Sequence, residues 1–208
     1  MDARFIEAVT LAGRHATLEP LTREHAQAVQ AATSDGELWS LWYTSVPAPD
    51  KVAAWLDIAF DMRERQGAMP FVVRDAARGD VVGSTRYFNV DVANRRLEIG
   101  HTWYARRAQR TGINTDCKLL LLTHAFEALG CIAVEFRTHW FNYRSREAIL
   151  RLGAKQDGVL RNHALLADGS RRDTVVFSIL DGEWAAVKRH LEWQLARPRA
   201  GNAKPRDA

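Results

Sequence analysis

The sequence predicts one α/β domain of the α+β kind, with a mixed, mostly antiparallel central sheet of about seven strands flanked by helices. Three observations carry this. Hydrophobic periodicity switches repeatedly between two and 3.6 residues, three strand-like runs follow one another between residues 71 and 104, and no linker long enough to divide the 208 residues occurs. Arg14 to Glu19 alternates and reads as a strand, after which Thr22 can cap a helix over Arg23 to Thr33. The aromatic stretch Leu38 to Tyr43 ends at Pro47 and Pro49. Beyond it Val52, Trp55, Leu56, Ala59 and Phe60 recur at helical spacing and predict a helix over Asp50 to Arg65. Phe71 to Arg74, Val81 to Val90 and Arg96 to Tyr104 then form an antiparallel meander. Ile113 to Leu129 is helical in pattern and ends at Gly130, Ile132 to Thr138 is a strand, and Asn142 to Leu152 is a helix closed by Gly153. Gln156 to Leu166 and Asp173 to Leu180 flank Asp168-Gly169, a hairpin dipeptide, and a last helix covers Gly182 to Leu195.

Composition narrows the function classes. A chain that is 47% hydrophobic and 26% charged sits at the globular average, which excludes disordered and fibrous readings. No apolar run approaches the roughly 18 residues of a membrane span. The opening residues carry acids early and do not read as a secretory signal, so the expectation is a cytoplasmic protein without a membrane partner. Residues 197–208 hold +3 of the net charge of +4, leaving a nearly neutral body. We therefore expect a domain over residues 1–196 and a basic, disordered tail over 197–208, with no nucleic-acid partner. Cys117 and Cys131 lack CxxC spacing and read as buried small hydrophobes, and the seven histidines lack HxxxH or HExxH pairing, so no metal is expected.

One segment carries chemistry. The strand Leu97 to Trp103 runs through the basic loop Ala105 to Gly112 into a strong helix. Such a junction presents unpaired N–H groups and a positive helix end, with Arg106, Arg107 and Arg110 nearby, which suits a pyrophosphate. Neither a GK[ST] loop nor a GxGxxG fingerprint is present. Alternation places Glu98, Gly100 and Thr102 on one face of the strand and Leu97, Ile99, His101 and Trp103 on the other, so Glu98 and His101 are not expected to face the substrate together.

Gln109-Arg110-Thr111-Gly112-Ile113-Asn114, preceded by Glu98-Ile99-Gly100, resembles the acyl-CoA loop and strand of the GNAT N-acetyltransferase superfamily. Asn142-Tyr143-Arg144-Ser145, Leu152-Gly153-Ala154 and the opening Gly13 to Leu21 are similar to the RimJ/RimL-type branch, which acetylates protein N-termini. The resemblance extends over residues 13 to 195. It implies transfer of an acetyl group from acetyl-CoA to a primary amine, foremost a protein or peptide N-terminal α-amine, with a small-molecule amine acceptor and a non-catalytic acyl-CoA-binding protein as alternatives; the branch also admits a homodimer. Acyl-CoA contacts fall on Trp103, Gln109, Arg110, Thr111, Gly112, Ile113, Asn114, Thr115 and Asn142. Pantetheine would extend the sheet beside Gly100 to Tyr104. Asn114 departs from the usual small residue. Glu98 matches the strand glutamate that serves as base in part of the superfamily, against a reading as a mere loop anchor. Where many members carry a tyrosine acid this chain has Ile149, leaving Ser145 or water as proton donor. The acceptor region falls on Trp39, Trp42, Tyr43, His101 and His139.

Overall fold

The computed structural model describes residues 5–166 and 168–197, so the tail expected beyond Arg197 lies outside the described residues. Eight strands form one sheet in the order β1-β2-β3-β4-β5-β6-β8-β7: β1 Leu11–Ala12, β2 Ala16–Pro20, β3 Met69–Asp75, β4 Val81–Asp91, β5 Arg96–Tyr104, β6 Ala133–His139, β7 Lys155–Leu165 and β8 Arg171–Leu180. The helices are α1 Ala26–Thr33, α2 Val52–Gln66, α3 Ile113–Thr123, α4 Tyr143–Leu150 and α5 Asp181–Ala196. The strand beyond the expected seven is β1, whose two residues pair with Thr17 and Leu18 and are too short to alternate visibly.

Every neighbouring pair is antiparallel except β5 and β6. These run parallel, and only Arg96, Leu97 and Glu98 find partners, in Ala133, Val134 and Glu135. Beyond Glu98 the two strands part. The edge of β5 from Ile99 to Tyr104 that faces β6 therefore has no strand to pair with.

Two cores hold the sheet. The larger includes Leu18, Phe71, Tyr87, Leu97, Ile99, Phe136 and Phe177 with Leu121 and Leu122 of α3 and Leu191 of α5. The smaller sets Val29 of α1 and Trp55, Leu56 and Phe60 of α2 against Val72, Val81 and Trp103. Cys117 and Cys131 are buried free thiols in the larger core.

The helix expected through Leu129 keeps α geometry only to Thr123. It then widens into a π-turn over His124–Ala128, with Leu129 N–H reaching the His124 carbonyl. Tyr87 Oη donates to the Leu121 carbonyl at 2.6 Å just before the widening, a long-range contact that periodicity does not reveal.

Asp116, on the first turn of α3, ties this helix to the start of the sheet. Its buried carboxylate accepts from the N–H groups of His15 at 2.5 Å and Ala16 at 3.0 Å. A Cβ at Gly13 would lie 2.5 Å from the same carboxylate, so that glycine is required by close approach. Asp116→Ala strands two amides, one of them buried, and is expected to lower stability by about 2–4 kcal/mol, read as a shift of the urea midpoint at unchanged slope.

Candidate active site

The strand β5 carries a bulge where it leaves β6. Ser84 pairs with Trp103 and Arg86 with Gly100, so two steps along β4 match three along β5, and His101 takes a left-handed φ of 48°. Alternation reverses there. Leu97 and Ile99 face α3 before the bulge, whereas Thr102 and Tyr104 do so after it, Thr102 touching Lys118 and Tyr104 joining the larger core.

This corrects the expectation that Glu98 and His101 lie on opposite faces. The Phe88 ring stands over Gly100 on the Glu98 side, where a Cβ on Gly100 would come within 2.7 Å of it, and the His101 ring meets Phe88 edge-on at 4.9 Å. Both residues also feel the field of Arg172. They share the face left open where β5 and β6 part.

Glu98 is buried, and burial pushes its carboxyl up to about 7; the Asn89 amide, which donates to Oε2 at 2.8 Å, and the Arg137 guanidinium, 3.4 Å away, oppose that rise. A carboxylate so poised is half-ionised at neutral pH and suited to take a proton. Burial, with Arg86 and Arg172 nearby, lowers His101 to about 4, so its imidazole is neutral at pH 7.

The loop after β5 turns so that several of its amides have no acceptor among the described residues. Gln109 Nε2 donates back to the Tyr104 carbonyl at 3.0 Å, Thr111 Oγ1 to the Ala108 carbonyl at 2.6 Å, and Arg110 turns the chain with a φ of 60°. Among the described residues, no acceptor meets the N–H groups of Arg110, Thr111, Gly112, Asn114 or Thr115. Together with the N-terminus of α3 they form a cradle of unpaired amides, a geometry able to hold an anion such as a diphosphate. The side chains contribute less than the sequence suggests. Thr115 Oγ1 accepts from Arg151 Nη1 at 2.9 Å, Trp103 is buried edge-on to Trp55, and Arg107 is taken by Asp35 at 2.9 Å and Asp80 at 3.4 Å. Arg110 remains exposed beside the cradle.

Across the opening, Asn142 accepts from Ser145 N–H at 3.1 Å and caps α4, leaving the half-buried Ser145 near the tip of β6. Ile149 is buried in the larger core. His139, at the end of β6, sits among Trp42 at 4.9 Å, Phe141 at 5.7 Å and Tyr43 at 6.3 Å between ring centroids. Its Nδ1 accepts from Phe141 N–H at 3.1 Å, which makes Nε2 the donor, and this buried N–H has no partner. Trp39 is exposed and makes no ring contact with this group among the described residues. The structure thus brings Trp42, Tyr43 and His139 together and leaves Trp39 outside.

Three residues escape a sequence reading. Arg86 and Arg172 enter the site only through strand register. Lys118, buried on α3, donates to Thr102 Oγ1 at 2.9 Å and Thr85 Oγ1 at 3.2 Å, pinning the bulge to the helix below. Its place in the leucine-rich face of α3 was the available signal.

The family model of the acetyltransferase (GNAT) domain matches residues 15–155. The chain belongs to the GNAT acetyltransferase family. It is 34% identical over 110 residues to the Bacillus subtilis protein named "Putative ribosomal N-acetyltransferase YdaF", a match spanning 53% of this chain and 59% of that one. A crystal structure of a GCN5-related N-acetyltransferase from Brucella melitensis superimposes with a TM-score of 0.84 at 30% identity, covering 96% of this chain and 90% of that one. The Mycobacterium smegmatis RimJ structure, a complex with CoA-disulfide, shares the fold with a TM-score of 0.73 at 23% identity, covering 90% and 93%. No helix among the described residues is long and apolar enough to cross a membrane.

Burial depresses the Lys118 ammonium from 10.5 to about 8. The unfolded chain then binds more protons than the folded one between those values, so stability rises with pH from about 8 to 10.5. Lys118→Met is expected to flatten that rise, measured as urea midpoints across the interval; an unchanged slope assigns the effect elsewhere.

Proposed function

We propose that this chain transfers an acetyl group from acetyl-CoA to a primary amine, foremost the N-terminal α-amine of a protein or peptide, in the cytoplasm. One observation carries the reading: the unpaired edge of β5 leads directly into acceptor-free amides at the start of α3, with Glu98 buried on the open face beside it. A nucleotide diphosphate and an extended amide-bearing arm fit these two features in that order. Acetyl-CoA supplies the acetyl group as a thioester. The amides of Arg110, Thr111, Gly112, Asn114 and Thr115, with Gln109 and Ile113 shaping the loop, hold the diphosphate. The edge of β5 through Trp103 meets the arm, and Asn142 orders the facing helix.

The acceptor enters from the side of Trp42, Tyr43 and His139, whose aromatic walls and unpartnered Nε2–H suit an apolar side chain next to a peptide carbonyl. An α-amine has a pKa near 8 and is partly neutral at physiological pH, so mild base help suffices. The amine nitrogen forms its bond to the acetyl carbon as the carbon–sulfur bond breaks. Glu98 takes the amine proton, directly or through water, and Ser145 or water returns one to the departing thiolate. His101 lines the acceptor side as a neutral imidazole. The Bacillus subtilis relative whose name gives it as a putative ribosomal N-acetyltransferase supports a protein terminus as acceptor.

Calorimetric titration with CoA and acetyl-CoA is expected to show saturable binding that Gly112→Trp abolishes and Arg110→Ala weakens; absence of binding by the intact protein contradicts the reading. Glu98→Gln is expected to lower kcat by about 100-fold or more and to remove the rise of kcat centred at about pH 7. An unchanged pH profile of kcat removes Glu98 as the base.

A further inference from the structure

Two arginines on the open face have no carboxylate at ion-pair distance among the described residues, Glu98 acting on Arg172 only from further off. Arg86, opposite Gly100, is fully buried; its Nη1 donates to the sulfur of Met62 at 2.9 Å, a weak acceptor, and its Nε has no hydrogen-bond partner. Arg172 on β8 is half-buried and donates through Nε to Thr174 Oγ1 at 3.0 Å. Thr174 is the residue paired with His139 across β6 and β8, which puts Arg172 just past the tip of β6, beside the aromatic group. Neither arginine forms an ion pair among the described residues. His101 lies in the field of both, and Glu98 and His139 in that of Arg172.

The acids nearby are already committed. Glu135 holds Arg96 and Arg137, Glu98 holds Asn89 and Arg137, and Asp173 holds Arg161. Asp35, the acid of the loop before Trp39, is engaged by Arg107. A buried cation without an anion is costly, and that cost falls when a ligand brings the opposite charge. Apart from Glu98, half-ionised at neutral pH, no free carboxylate among the described residues answers the positive charge on the acceptor side.

We propose that Arg172, backed by the field of Arg86, reads a carboxylate on the acceptor, so that favoured substrates are N-termini with Asp or Glu at the second position. This inference rests on the amine-acceptor reading above and deepens it. A guanidinium with its two terminal nitrogens free matches a carboxylate in a planar, two-bond geometry that an ammonium does not reproduce. The same positive field favours the neutral form of the incoming amine, the form that attacks. It disfavours polycationic amines.

The test is steady-state acetylation by the full chain with acetyl-CoA, followed as thiol release, on peptides that differ only in Asp, Ala or Lys at the second position. The intact enzyme is expected to prefer Asp over Lys by at least tenfold in kcat/KM, chiefly through KM. Arg172→Gln is expected to collapse that ratio towards one, and Arg172→Lys to restore part of it. Equal rates on all three peptides, or a ratio unchanged in Arg172→Gln, overturn the proposal. If no peptide reacts, the peptide-acceptor reading has failed separately, and 4-aminobutyrate against butylamine replaces the pair. A preference for the carboxylated amine that Arg172→Gln removes then upholds the role of Arg172, and no preference overturns it.

Discussion

The structure turns on the parting of β5 from β6 after a parallel contact of only three residues. Antiparallel partners on their other sides, β4 and β8, keep both strands in one sheet while the gap between them opens. An unpaired strand edge inside a sheet is costly to leave dry, because each amide and carbonyl there has to find water or a ligand. The bulge at His101 deepens the opening by twisting β5 away, and Lys118 holds it from beneath through Thr102. Loop, helix start and acceptor face all take their positions from this one break in pairing.

The two sides of the opening differ in electrostatic character. The side towards α3 offers backbone N–H groups and a helix end, a fixed positive potential that depends little on side-chain identity. On the opposite face, charge is carried by side chains and tuned by burial. Glu98 is held near half-ionisation at neutral pH, while Arg86 and Arg172 form no ion pair among the described residues. On the reading proposed here, the donor meets main chain and the acceptor meets side chains.

Element order and the strand–loop–helix junction were legible in the sequence because they rest on local periodicity. Arg96 to Tyr104 is found at the expected residues, and Gly130 ends the long helix as expected. The bulge was not legible. Strict alternation along Leu97 to Trp103 separated Glu98 from His101, and only the register against β4 shows the extra residue that reunites them. Arg86 and Arg172 likewise read as ordinary strand arginines until their neighbours are in place. The loop was legible by its arginines and its glycine, yet the residue that carries the left-handed turn is Arg110. Long-range pairing decides these features, and local pattern does not encode it.

The proposed place of the donor is the free edge of β5 and the cradle before α3. Amide hydrogen exchange of the intact chain with and without CoA tests it most directly. CoA is expected to slow exchange at Ile99 to Tyr104 and at Arg110 to Thr115, with little change at the buried centre of β3. Protection confined to other segments, with these two unchanged at saturating CoA, would contradict it.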